Sequence, residues 1–176
     1  KQGTAKVTSV QGAARYTMDN KTWQPVNEGM SIKAGAVIQT AKDSHVDIVL
    51  GEADGSALQP IARRITHAPA GTSGEGEQGN VVRITPNSIL AIDKLTTEET
   101  GADVVNEIQL DLRAGRIMGN VKKLSAASRY EVKFPTGVAG IRGTIYIIDA
   151  NGQVRVLVGS VVISYLNKDG VVVTQV

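Results

Sequence analysis

The sequence predicts an all-β chain: a single twisted, multi-corner antiparallel β domain, built as a sandwich or a short solenoid-like stack, with little or no helix. Three observations carry that expectation. Apolar and polar residues alternate, as at Val46-Asp47-Ile48-Val49-Leu50 and Ile108-Gln109-Leu110-Asp111-Leu112, with the two-residue period of a half-buried strand. Turn residues recur about every 8 to 12 positions, the spacing of an all-β domain. Three glycines, in Val10-Gln11-Gly12-Ala13, Arg113-Ala114-Gly115-Arg116-Ile117 and Val158-Gly159-Ser160-Val161, stand between apolar strands without a full loop. Such positions suit corners, where one strand bends into the next layer.

In chain order, Ala5, Val7 and Val10 begin the first strand, Gly12 turns it toward Ala13 and Tyr16, and Met18-Asp19-Asn20-Lys21 makes the first hairpin tip. After Trp23, Pro25 and Val26, the turns Asn27-Glu28-Gly29 and Lys33-Ala34-Gly35 bracket Ile32. Strands follow at Ala36 to Thr40 and, past Lys42-Asp43-Ser44, at Val46 to Leu50. Asp54-Gly55-Ser56 signals a further hairpin. Pro60 to Asn80, PIARRITHAPAGTSGEGEQGN, holds two prolines, four glycines and few large apolar groups. That composition predicts a flexible, exposed insertion at 60–80 within a domain spanning 1–176.

Strands resume at Val81 to Ile84 and Ile89 to Leu95, divided by Thr85-Pro86-Asn87-Ser88. Thr96 to Asn106 reads as a polar, acidic hairpin tip before the strand Ile108 to Leu112. Gly119 to Ser128 is the one stretch with a weak helical pattern. Tyr130, Val132 and Phe134 then deliver the chain to Phe134 to Ile148, FPTGVAGIRGTIYII, in which Gly137, Gly140 and Gly143 recur at every third position around Arg142. Thr144 opens a β-branched run that favours a strand. Asn151-Gly152 between apolar strands predicts a type I′ hairpin. Lys168-Asp169-Gly170 closes a last hairpin between Val161 to Leu166 and Val171 to Val176.

A chain of 176 residues fits one domain, and 41% hydrophobic against 20% charged residues is a globular composition. Six residues are aromatic, so the core must be largely Val, Ile, Leu and Ala. The absence of cysteine excludes disulfides, thiolate zinc sites and thiol catalysis. A net charge of +2 implies no polyanion by itself, and no apolar run reaches the roughly 18 residues of a membrane span. The start KQGTAKV lacks a signal-peptide pattern, so the chain is either cytoplasmic or has lost an export segment.

The glycine stretch fails as a phosphate loop. Its spacing is G-x-x-G-x-x-G rather than G-x-G-x-x-G, and β-formers follow where a helix must begin. Its glycines are expected to let backbones approach, and Arg142 to satisfy buried carbonyls or a carboxylate. Asp149, Asn151 and Gly152 resemble the start of a calcium loop, but the glycine falls two places early and Ser160 replaces the bidentate glutamate. His45 and His67 lack partners in the sequence, and no G-x-S-x-G occurs. No catalytic residue, cofactor or metal is therefore expected. Charge is patterned: six acids stand against one lysine from Asp93 to Asp111. Cations dominate from Arg113 to Arg142, as Arg113, Arg116, Lys122, Lys123, Arg129, Lys133 and Arg142 against Glu131. These runs make two solvated faces, facing each other across neighbouring strands, or a basic patch for an anionic polymer. Trp23, Arg63, Arg64, Arg113, Arg116, Lys122, Lys123 and Arg129 form the candidate binding surface. So few aromatics disfavour nucleic acid.

The chain resembles a FecR-type domain. GTAKVTSVQGAARY, Trp23 before Asn27-Glu28-Gly29-Met30, and Lys33 to Thr40 resemble the family's opening strands. Asp54-Gly55-Ser56, ITPNSILAI, Leu112 to Ile117 with Val121-Lys122, and Val154 to Ile163 resemble later segments. YEVKFPTGVAGIRGTIYII is the most specific piece. The resemblance implies a non-enzymatic, all-β module outside the cytoplasmic membrane, periplasmic or secreted, with its export signal removed. It would work by protein–protein contact in signal sensing or envelope scaffolding. Regulators of this family that pass an iron-siderophore signal to a sigma factor carry a cytoplasmic helical region, a membrane span and a transporter-contacting segment. None stands in this sequence, which is closer to the free-standing branch; a membrane anchor would lie outside these residues. The alternatives are a binding module for envelope glycans or other anionic polymers, and the periplasmic part of such a sigma-factor regulator.

Overall fold

The computed structural model describes residues 1–51, 79–101, 103–166, 168–170 and 172–175. The Asp54-Gly55-Ser56 hairpin and most of the 60–80 stretch, with Arg63, Arg64 and His67, lie outside them. Sixteen strands and no helix occur among the described residues: β1 (Thr4–Gln11), β2 (Ala14–Thr17), β3 (Gln24–Pro25), β4 (Ser31–Lys33), β5 (Val37–Thr40), β6 (His45–Gly51), β7 (Asn80–Ile84) and β8 (Ile89–Thr100), then β9 (Asp103–Ala114), β10 (Arg116–Asn120), β11 (Arg129–Phe134), β12 (Gly137–Ile141), β13 (Ile145–Asp149), β14 (Val154–Val158), β15 (Val161–Leu166) and β16 (Val172–Gln175).

They form two sheets, ordered β14-β13-β10-β7-β6-β1-β4 and β16-β15-β12-β11-β9-β8-β5-β2-β3. The two orders share a logic. β1 and β2, β5 and β6, β7 and β8, β9 and β10, β12 and β13, and β14 and β15 are successive strands lying in opposite sheets. Each pair is one ribbon bent over a corner, and the six ribbons stack in the same order in both layers. Apolar residues at every second position, such as Val46, Ile48 and Leu50 or Ile108, Leu110 and Leu112, fill the space between the sheets.

The corners come in three facing pairs. In each, a glycine with positive φ (Gly12 at 76°, Gly115 at 78°, Gly159 at 90°) passes a second bend whose last residue bears a hydroxyl. Those bends are Lys42-Asp43-Ser44, Pro86-Asn87-Ser88 and Arg142-Gly143-Thr144, with Asp43, Asn87 and Gly143 also at positive φ. The hydroxyl satisfies backbone at the crossing: Ser44 Oγ accepts the Ala13 N–H at 2.9 Å, Ser88 Oγ accepts the Arg116 N–H at 3.0 Å, and Thr144 Oγ1 donates to the Ser160 carbonyl at 2.8 Å. Each hydroxyl also lies within 3.3 Å of the carbonyl two residues before it. A Cβ on any of the three glycines would strike the facing bend: 2.7 Å from the Asn87 carbonyl oxygen at Gly115, and 2.6 Å from that of Gly143 at Gly159. Glycine is required at these positions by sterics as well as by φ.

Five expectations need correction. The domain is not wholly antiparallel, because β11 enters the nine-stranded sheet parallel to β9. The weakly helical stretch is the end of β10 and an irregular crossover to β11. The Thr96 to Asn106 tip is mostly strand: β8 and β9 pair as far as Thr100 and Asp103. β-Branched Thr97 is buried there, its hydroxyl on Asn106 Oδ1 at 3.0 Å and its carbonyl on the N-terminal amine. The Asn151-Gly152 turn is not type I′, since only Gly152 has positive φ; its N–H closes on the Asp149 carbonyl at 3.0 Å. Asn80, placed at the end of the insertion, already belongs to β7, buried, with its Oδ1 on the Lys122 N–H at 3.1 Å.

Tyr130 of β11 and Tyr146 of β13 meet across the core, rings edge to face at 6.3 Å and hydroxyls 2.9 Å apart. Gly119 on β10 leaves room for the Tyr146 ring. β11 adds a strand to one sheet with no counterpart in the other, and these two large rings sit where it enters. Burial pushes both phenols above the ordinary tyrosine range.

Two outcomes follow. Gly115→Ala should lose at least about 2 kcal/mol of unfolding free energy, strain plus clash, whereas Gly29→Ala, at φ 86° with nothing within 4 Å, should lose only the αL penalty of about 1 kcal/mol. Urea titration measures both, and equal losses would refute the facing-corner reading. For the tyrosines, the folded state keeps protons that the unfolded chain releases above pH about 10, so stability falls as pH rises through that value. The wild type should lose about 2.7 kcal/mol per pH unit more than a Tyr130→Phe/Tyr146→Phe variant while both phenols stay neutral in the fold. Matching alkaline slopes would show that the pair titrates normally.

Candidate functional site

The glycine stretch organises a crossing. Between β10 and β11 the chain leaves the seven-stranded sheet and enters the other, and this crossover rests on Arg142-Gly143-Thr144. The Val121 N–H donates to the Thr144 carbonyl at 2.9 Å. Gly143 passes so close that a Cβ would lie 3.1 Å from Lys123 Cα. The Arg142 guanidinium donates to the Ser125 carbonyl at 3.1 Å. Ser125 and Ser128 continue the tie to the β8–β9 hairpin through the Val104 carbonyl and the Asn106 N–H. Arg142 is therefore exposed and clamps a surface loop; it does not serve buried groups. Gly137 is crowded, its absent Cβ 2.6 Å from the Ser164 carbonyl oxygen, while Gly140 has 3.7 Å to its nearest neighbour and needs no close approach. Thr144 is buried as the hydroxyl of the third corner.

Among the described residues the candidate cations do not gather. Arg113 sits at the end of β9, and Arg129 begins β11 opposite Glu107, six residues earlier along the same sheet. Lys122 and Lys123 lie beyond the far end of β10 from Arg116. Most carry carboxylates: Arg113 with Asp111 at 3.1 Å, Arg116 with Asp149 at 2.7 Å, Arg129 with Glu131 at 3.3 Å and Lys133 with Asp93 at 3.3 Å. The parallel β9–β11 register sets Glu107 beside Arg129 and Asp111 beside Lys133, so the acidic and basic runs face each other across neighbouring strands. Asp149 is buried with its second oxygen unpartnered, which makes Arg116 its counterion.

Trp23 lies at the opposite edge, between β2 and β3. The Arg15 guanidinium stacks 4.3 Å from its ring centroid and is itself held by Gln39 Oε1 at 2.9 Å, so one face of the ring is covered. Backbone N–H groups of Thr22 and Lys21 grip Asp19, hold its carboxyl well below the usual carboxylate range and fix the tip beside the ring. His45 opens β6 half-buried. Among the described residues no three His, Cys, Asp or Glu side chains converge as a metal site.

The unexplained surface is the end of the stack that, of the described candidates, only Arg113 borders. At the β3–β4 end the 26–30 loop closes the core, burying Val26 and Ile32. The Val7 N–H donates to the Met30 carbonyl, and the Gly29 N–H to the Val7 carbonyl. At the other end β14 and β16 are open edges among the described residues. Leu157 is 59% exposed, Val158 58%, Leu166 63% and Val172 67%, with Val156 and Val162 also exposed. Leu166 and Val172 are cross-strand partners, and a shallow groove runs from them past Val138 and Pro135 to Arg113 and Lys133. The signal was the composition of the last strands, where Val154 to Val158 carries one charge and valines fill Val171 to Val173.

The profile of the family described as FecR protein matches residues 74–162, slightly more than half of the chain, from before β7 into β15. Neither a curated protein nor a solved structure matches the chain. The matched span holds two of the three corner pairs, the crossover and the glycine stretch beneath it. The chain belongs to the FecR family, a regulatory, non-enzymatic family of extracytoplasmic proteins.

Proposed function

We propose that this chain is an extracytoplasmic FecR module that works without catalysis by binding another protein through the open β14–β16 end. The observation that carries the reading is the asymmetry of the stack: one end is closed by its own loop, the other exposes apolar residues on both edge strands. Exposed apolar surface of this kind, joined to unpaired strand edges, marks protein contact sites. One core cluster runs through both sheets, which supports residues 1–176 as one domain with 60–80 as an insertion in it. The ion pairing of Arg113, Arg116 and Arg129 weighs against an anionic-polymer site, because a glycan would have to displace their carboxylates.

A photo-crosslinking residue placed at position 157 should give a discrete, protease-sensitive adduct in intact cells. The same probe at position 33, on exposed β4 at the closed end, should give none. No adduct at 157, or equal adducts at both positions, would overturn the reading.

A further inference from the structure

We infer that the outer face of the seven-stranded sheet docks on an anionic phospholipid bilayer. This goes beyond the β14–β16 contact, because it concerns the broad face of that sheet and not the end of the stack. The outer positions of a sandwich ordinarily carry polar residues. Here Ile145 and Ile147 of β13, Met118 of β10, Val81 of β7 and Val49 of β6 occupy them, on strands whose alternate residues are buried. The register brings these side chains together. Ile147 lies opposite Met118 and Val81 opposite Val49, while Asn120 stands between Ile145 and Val81. Met118 is 39% exposed and the other four are half-buried.

The charge around this patch is one-sided. Its acids are already neutralised: Arg83 donates to both oxygens of Asp47, at 2.7 and 2.8 Å, and Arg116 to Asp149 at 2.7 Å. Lys6 lies opposite Val49, Arg155 opposite Ile147, and Lys122 and Lys123 just past the end of β10. None of these four has a carboxylate partner among the described residues. The outer face of the other sheet is balanced instead, with Asp93, Glu107, Asp111 and Glu131 each bonded to a cation. Cations bordering an apolar patch match an anionic bilayer, whose headgroups meet the charge while the apolar side chains enter the interface. Long Lys and Arg stems contribute to both contacts. A protein contact would call for other residues, since interface cores are rich in aromatics and poor in lysine. All six aromatics are buried in the core or carried by the other sheet and its turns. An anionic glycan would meet the cations and leave the apolar patch without a partner.

Co-sedimentation of the purified chain with vesicles tests the inference. Vesicles of phosphatidylglycerol and phosphatidylcholine in equal parts should carry the chain down, and vesicles of phosphatidylcholine alone should not. Each cation near an anionic leaflet is worth about a fivefold gain in binding, so Lys6→Gln/Arg155→Gln should weaken it about 25-fold. The charge-matched Lys94→Gln/Arg129→Gln, on the other sheet, should change it less than about twofold. Raising salt from about 0.1 M to about 1 M shortens the Debye length from about 10 Å to about 3 Å and should weaken binding at least about tenfold. Met118→Ser, folded by circular dichroism, should release what remains bound at high salt. No sedimentation with the anionic vesicles, equal binding to both vesicle types, or equal losses in the two double variants would overturn the bilayer contact. The position-157 adduct is read in a separate experiment, so either contact can fail while the other stands.

Discussion

The contact on which the rest of this fold depends is a hydroxyl set against a left-handed glycine where two ribbons bend side by side. A bent ribbon belongs to two sheets, so its corner fixes the register of both at once. A slip of one residue would send every apolar side chain of a strand to the solvent face. The glycine lets the chains touch, and the Ser or Thr oxygen replaces the ladder bond that the bend removes. Further bonds link the first two corner pairs: Thr40 Oγ1 donates to the Thr85 carbonyl at 2.6 Å, and the Asn87 N–H donates to the Ala41 carbonyl. The Ala150 N–H, on the Gly115 carbonyl, joins the second pair to the β13–β14 turn. The first two corner pairs form a continuous seam along one side of the stack, and the third lies at the opposite ends of the strands, where Ile145 faces Asn120 and Val158.

β11 is the departure from this regularity, and its consequences account for the most distinctive residues. Inserting a parallel strand requires a crossover, and the crossover needs a saddle. Arg142, Gly143 and Thr144 serve that purpose while Gly143 and Thr144 also build the third corner. The residues that most resemble a ligand loop are thus spent on two structural tasks. The extra strand also unbalances the two layers, and the Tyr130–Tyr146 pair sits at that point with its hydroxyls satisfying each other in a place without water.

How much of this the sequence disclosed follows from the range of the interactions. Alternation is local, so the all-β class and most strands were legible, and a glycine between apolar runs was enough to suggest a corner. Which hydroxyl faces which glycine was not legible, because Ser44 lies 31 residues from Ala13, and Ser88 28 residues from Arg116. The parallel insertion was hidden for the same reason. Asn-Gly misled because Asn151 keeps negative φ in a turn closed by Gly152. The candidate surface was drawn from charge, and charge in sequence does not reveal that Asp111, Asp149 and Glu131 neutralise it in space. A run of valines reads alike whether buried or exposed, so the open edge became visible only once β14 was known to be last in its sheet.

The order of the ribbons explains why that edge is open. β15 leaves the third corner, reverses at Lys168-Asp169-Gly170, and β16 returns alongside it with Gln175 opposite Ile163. Among the described residues the nine-stranded sheet thus extends one strand past β15, while the seven-stranded sheet stops at β14 with no strand beneath β16. The layers end out of step, and the valines of β14 face a lane as wide as one strand. At the opposite end the layers stay in step, with β3 beyond β2 in one sheet and β4 beyond β1 in the other, and the loop between them closes the core over Val26 and Ile32. A stacked fold whose inner face is apolar needs a cap at each terminus. With one cap built in, the other end is where the proposed protein contact would complete the stack, on the strand edges that the fold leaves there.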